Sequence, residues 1–156
     1  MKIRKATRDD AYDIGTLAGE FAEHLRSLGD TTDFQFNAGA YLHDGFGDNP
    51  AFQGLVAEID NDVVGYLLYH FGYDVDLAMR TLYVIDLYVR PANRLSGVGR
   101  ALMKRAGEIC TAAGGKGLSW SVYSPNRPAF KFYERLGARY VKDMEYMYLP
   151  LEDEAG

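Results

Sequence analysis

A chain of 156 residues has the length of one domain with a sizeable core, which argues against a two-domain enzyme. Hydrophobic residues at 47 % and charged residues at 25 % follow ordinary globular usage and argue against a collagen-like, disordered or coiled-coil chain. Lysine and arginine number 17 against 22 Asp and Glu, a net charge of −5 that argues against nucleic-acid partners and suits a cationic small substrate.

Residues 2–6 read as a first strand, after which Thr7 can cap a helix with Asp9 and Asp10 in its first turn. Ile14, Leu17, Ala18, Phe21, Leu25 and Leu28 recur there at spacings of three and four, with Gly29 at the end. Asn37 caps a second, shorter helix to about Phe46, and residues 45–50 form a turn. Gln53–Ile59 and Val63–Phe71, joined by Asp60-Asn61-Asp62, predict an antiparallel hairpin. Tyr73–Arg80 reads as a polar link, and Thr81–Val89 as a central strand with a single acid, Asp86. Gly97–Ala113 predicts a helix, Leu118–Tyr123 a strand, Asn126–Leu136 a helix stopped by Gly137, and Ala138–Leu149 one or two closing strands. No linker, repeat or low-complexity tract interrupts this α/β order, so the expectation is one domain over 1–156.

Cys110, the single cysteine, lies in a helical apolar pattern and reads as a small buried hydrophobe. His24, His43 and His70 have no metal-ligand spacing, so no metal is expected. The first residues contain no apolar stretch of signal-peptide or membrane-span length, and the expectation is a cytoplasmic protein without membrane contact.

Chemistry concentrates in two segments. After the central strand, Arg94-Leu95-Ser96-Gly97-Val98-Gly99-Arg100 is a basic, glycine-containing loop that runs into a helix. Glycines let the backbone approach a ligand, and a helix N-terminus favours an anion such as a pyrophosphate, with Arg94 and Arg100 adding charge; alone, the pattern also fits an ordinary tight loop. It lacks the Gly-Lys-Ser/Thr ending of a P-loop and the third glycine of a dinucleotide fingerprint. The second segment, Asn126 to Gly137, carries a stripe of Ala129, Phe132, Tyr133 and Leu136, which by itself reads as an amphipathic helix.

Together the Arg-x-x-Gly-x-Gly pattern at Arg94–Gly99 and the Asn-x-x-Ala-x-x-x-Tyr pattern at Asn126–Tyr133 resemble the GNAT superfamily of acetyl-CoA-dependent N-acetyltransferases. Residues 41–50, 55–58, 69–74 and 82–89 further resemble its spermidine/spermine (diamine, thialysine) branch, so that the likeness covers nearly the whole chain. The resemblance implies a mixed, mostly antiparallel seven-stranded sheet with about four helices, splayed after the central strand to admit acetyl-CoA, usually in a homodimer. It places the pyrophosphate on the amides of Leu95, Ser96, Gly97, Val98, Gly99 and Arg100, and the pantetheine arm along Leu87 and Val89. Asn126, with Ala129 and Phe132 of the following helix, would meet the cofactor arm, Lys131 or Arg135 the adenosine phosphate, and Tyr133 would act as general acid beside the sulfur. A backbone N–H near Tyr88 would stabilise the oxyanion, and the acceptor would be a small amine: a diamine, polyamine or lysine-like amino acid.

The branch usually carries two adjacent acids where this chain has Ile85-Asp86, and an acid near the end of the first helix is replaced around Leu25, with Glu23 adjacent. Asp86 then either binds or deprotonates the amine, or makes a structural hydrogen bond; Asp74 either meets substrate or is a solvated loop residue. Acetylation of an aminoglycoside or a protein amine, and non-catalytic acyl-CoA binding, stay open as alternatives.

Overall fold

In the computed structural model, which describes residues 1–152, the chain runs β1 (Lys2–Lys5), a 3-10 turn (Arg8–Asp10), α1 (Ala11–Ser27), α2 (Ala38–Gly45), β2 (Gln53–Ile59), β3 (Asp62–Asp74) and β4 (Met79–Val89). A 3-10 turn at Pro91–Asn93, α3 (Val98–Ala112), β5 (Gly115–Ser119) and α4 (Arg127–Arg135) complete it. The chain falls into two compact units: residues 1–126, with the whole sheet and three helices, and the residues from Arg127 on, with α4.

The sheet order is β1-β2-β3-β4-β5, antiparallel through β4 and parallel between β4 and β5. Ile14, Leu17 and Ala18 of α1 and Tyr41 of α2 bury against Val56, Tyr66, Leu68 and Tyr88, as the three-and-four spacing requires. The ends of these helices are fixed by short polar contacts. Asn37 accepts from the Ala40 amide at 2.9 Å, and the buried Tyr41 hydroxyl donates to the Thr7 carbonyl at 2.8 Å. Asp10 accepts the Thr7 amide at 2.7 Å and receives both terminal nitrogens of Arg4, which also reaches Glu58 through Nε at 2.8 Å. These donors hold the Asp10 carboxyl below its ordinary range even though its burial acts in the opposite direction.

The structure corrects the strand count: among the described residues the sheet has five strands, not seven. Among the described residues Ala138–Leu149 forms no strand. Gly137 and Asp143 take positive φ, at 93° and 62°, which breaks the extended run, and the unit that starts at Arg127 offers no second strand for ladder bonds. Half of the link at 73–80 is strand, because β3 and β4 pair out to Asp74↔Met79 and a four-residue turn with Ala78 at φ 51° joins them. β5 starts at Gly115 rather than Leu118. A Cβ at Gly115 would stand 2.4 Å from Cys110 Sγ, so a glycine that reads as loop is what lets α3 lie close on this strand. Cys110 is buried there, as its helical pattern predicts.

Candidate active site

The sheet opens along β4. β5 pairs only with the first half of that strand, from Arg80↔Gly115 to Tyr83↔Ser119, and beyond it β4 has no strand partner on this side among the described residues. The register against β3 slips between Leu68↔Asp86 and Tyr69↔Val84, leaving Ile85 as the extra residue of a bulge, 41 % exposed. The Arg90 amide donates to the Val64 carbonyl at 2.9 Å. Antiparallel alternation therefore turns the Tyr88 amide toward β3 and the N–H and C=O groups of Leu87 and Val89 toward the open edge. The Tyr88 ring stacks on Phe21 at 5.2 Å and its hydroxyl donates to Glu20 at 3.4 Å. Glu20 also holds Arg90 at 3.1 Å, tying α1 to the end of β4.

Following β4, the chain turns through a bare stretch of backbone. Leu95 has φ 67° with its side chain in solvent, and Gly97 has φ 86° at the N-cap of α3, where no side chain caps the helix. A Cβ on Gly97 would meet nothing within 4 Å. α3 begins at Val98 behind an N-cap that supplies no side-chain cap, and a helix N-terminus carries partial positive charge, so this end of α3 suits a phosphate group. Arg94 lies back toward the strand: its Nε donates to the Val89 carbonyl at 2.8 Å and its guanidinium sits 5.4 Å from the Tyr88 ring centroid.

On the α1 side of β4 lies a cavity of about 90 Å³. Ala18, Phe21, Ala22 and Leu25 of α1 and Phe34 give it apolar walls. Asp86, Arg26, Asp30 and Thr32 supply its polar groups. Burial pushes the Asp86 carboxyl up to about 6, although the Tyr66 hydroxyl and the Leu87 amide, both donating to it, pull the other way. The Tyr66 phenol is pushed well above its usual range by its own burial and then by the adjacent carboxylate. A carboxyl held near neutrality at the edge of a cleft is suited to exchange a proton with, or to pair with, an ammonium group. Asp30 at the rim is held below the usual carboxylate range, chiefly by the Thr32 hydroxyl at 2.7 Å.

The other expected residues are distributed differently. Asp74 closes the β3–β4 turn by accepting the Leu77 amide at 3.0 Å. Its register partner Met79 lies seven residues along β4 from Asp86, ~23 Å at strand rise, so Asp74 and the cavity are not brought together within this chain. Glu23 is exposed on α1 and pairs with Arg26 at 3.7 Å. Asn126 is buried at the end of the first unit, its amide donating to the Tyr123 carbonyl. In the second unit α4 carries Ala129, Lys131, Phe132, Tyr133 and Arg135, and ends where the Ala138 amide donates to the Tyr133 carbonyl and Gly137 turns left-handed. Sequence reasoning missed Tyr66, Glu20 and Arg26. Tyr66 carried a signal, a hydroxyl three residues into the apolar run that starts at Val63 and in need of a buried partner, while Glu20 and Arg26 lie on the face of α1 opposite its apolar stripe, where charge is ordinary.

Comparison with known proteins agrees with this geometry. Residues 18–138 match the acetyltransferase (GNAT) family. The chain is 34 % identical over 151 residues to thialysine N-epsilon-acetyltransferase of Sus scrofa, covering 92 % of this chain and 86 % of that one. It is 30 % identical to the human spermidine/spermine N(1)-acetyltransferase-like protein 1, over 88 % of this chain and 20 % of that longer protein. A mutant BH1408 protein of Bacillus halodurans superposes with a TM-score of 0.80 at 25 % identity, over 97 % of this chain and all of the other. An open β4 edge, an uncapped glycine turn into α3 and a match that runs across both make this chain a member of the GNAT acetyltransferase family.

Proposed function

We propose that the protein transfers the acetyl group of acetyl-CoA to a primary amine of a small molecule by direct attack within a ternary complex. The observation that carries this reading is the placement of Asp86 on the same stretch of β4 whose edge is open: its side chain lines the α1 cavity, while the peptide groups of the next residue, Leu87, face the gap. Bound acetyl-CoA would supply an activated acyl carbonyl and a thiolate leaving group. The amides of Leu95 to Arg100 would hold the pyrophosphate at the start of α3, and the peptide groups of Leu87 and Val89 would hold the pantetheine arm as an added strand. The Val89 carbonyl, which accepts from Arg94 Nε, keeps a second lone pair for a pantetheine N–H, and the terminal nitrogens of that guanidinium would be the groups offered to a phosphate.

An outward N–H of β4 next to Tyr88 would face the oxygen on which charge develops, a contact commonly worth ~10²- to 10³-fold in rate. Asp86, ionised above about pH 6, would anchor the incoming ammonium and accept its proton. Tyr133 as proton donor to the leaving thiolate, Lys131 or Arg135 as adenosine-phosphate contacts, and Asn126, Ala129 and Phe132 along the cofactor arm follow from the resemblance to the family, as does a homodimer, while a cytoplasmic location follows from the composition of the first residues. The relatives' acceptors, thialysine in one case and spermidine or spermine in the other, support a small aliphatic amine, as does a cavity of about 90 Å³.

Initial rates measured against both substrates test the mechanism. Direct attack gives intersecting double-reciprocal lines and an acetylated amine of the expected mass, and Tyr133→Phe lowers kcat by roughly tenfold or more with acetyl-CoA affinity kept. Parallel lines, as from an acetylated enzyme, or unchanged kcat in the variant would remove the corresponding step.

A further inference from the structure

Resting on the amine-acetylating reading above, we propose that Arg26 is a specificity-determining residue that reads a carboxylate on the acceptor, so that the site prefers an amino acid with a side-chain amine over a diamine of the same length. The cavity carries charge of both signs. Asp86 stands on β4, and Arg26 projects from the last turn of α1. Ala18, Ala22 and Arg26 follow each other at intervals of four on α1 and all three line the cavity, so two methyl-sized side chains precede the guanidinium along ~12 Å of helix.

Arg26 is not committed to a strong partner on its own helix. Its ion pair with Glu23 spans 3.7 Å, beyond N–H···O range, between two side chains that are both more than half exposed. A guanidinium presents a planar fork of donors that matches a carboxylate at two points. Asp30, held in place by the Thr32 hydroxyl and amide at 2.7 and 3.0 Å, lies at the same rim and offers a negative group to an α-ammonium. The head group of an amino acid thus meets charges of opposite sign at both its ends, whereas the far ammonium of a diamine would have to share the rim with the Arg26 guanidinium.

The test compares kcat/KM for lysine, lysinamide and cadaverine, which share the reacting chain and differ in the carboxylate. The wild type favours lysine over both others by tenfold or more, and Arg26→Gln lowers the lysine-to-cadaverine ratio roughly tenfold to a hundredfold, the usual weight of a hydrogen bond to a charged group. Arg26→Lys, which keeps the charge without the fork, retains part of the preference. Cadaverine used as well as lysine by the wild type, or an Arg26→Gln variant that slows both amines equally, overturns the proposal and leaves amine acetylation standing. Turnover of none of the three amines overturns the proposal, and coenzyme A release with putrescine or spermidine then shows whether amine acetylation stands without it.

Discussion

Asp86 is a cavity-lining carboxyl, and on the proposed mechanism its two protonation states do different things. Burial raises it from an ordinary 3.8 to about 6, so the folded protein holds its proton more tightly than the unfolded chain does. The sign follows directly: this group's contribution to stability falls as pH rises from about 4 to about 6 and stays low above that. Removing the charge while keeping an acceptor for the Tyr66 hydroxyl therefore helps the fold, and Asp86→Asn should melt at a higher temperature than the wild type at pH 7. Its catalysis should move the other way. The wild-type profile of log kcat/KM should steepen by one unit below about pH 6, where Asp86 becomes protonated, and that break should be absent in Asp86→Asn. A variant with wild-type kinetics and a lower melting temperature would make Asp86 a structural hydrogen-bonding group instead. The sequence marked this residue, since an acid in an apolar strand needs a reason, but Tyr66, the group that restrains it, is separated by 20 positions and becomes a neighbour only through β3–β4 pairing.

At the level of elements, periodicity located α1 and the pattern of α3 because each buries one face whose spacing is visible in the chain, the Asn37 cap located α2, and two apolar runs joined by a polar turn located the β2–β3 hairpin, whose residues Val63–Tyr69 are buried on both faces. Pairing, by contrast, is not written in local pattern. Residues 73, 74, 79 and 80 of the polar link become strand because each continues a strand opposite the other, and the strongly β-prone residues 138–149 do not, because among the described residues their own unit has no strand to receive them. β5 shows the same rule through its glycines. The close approach of α3 excludes a side chain at Gly115, where an added methyl would meet Cys110 Sγ at 2.4 Å and two carbonyl oxygens at 3.1 Å. Gly115→Ala should cost roughly 1–3 kcal/mol, and Cys110→Ala in the same chain should restore part of that loss in a chemical-denaturation experiment. Additive losses in the double variant would mean that the carbonyls, not the sulfur, set the limit.

Across the whole molecule, a net charge of −5 and an acidic, partly apolar cavity describe a surface that attracts small cations rather than polyanions. On the proposed reading the polyanionic cosubstrate is the exception, and it would be met by backbone amides at one helix end and by arginines in a single loop rather than by a basic face. That loop was legible because glycine spacing and helix onset are both local. The cavity was not, since it joins α1, the segment after it and a strand some fifty residues further on. Family membership rests on residues 18–138, which span the open edge, the glycine turn and α4.

The most direct test of the account is the initial rate of coenzyme A release from acetyl-CoA, followed with a thiol reagent in the absence and presence of lysine, putrescine or spermidine. The account predicts release that requires the amine, saturates with it and falls in Asp86→Asn. Release that is the same with and without every amine, in a protein that still binds acetyl-CoA, would contradict it.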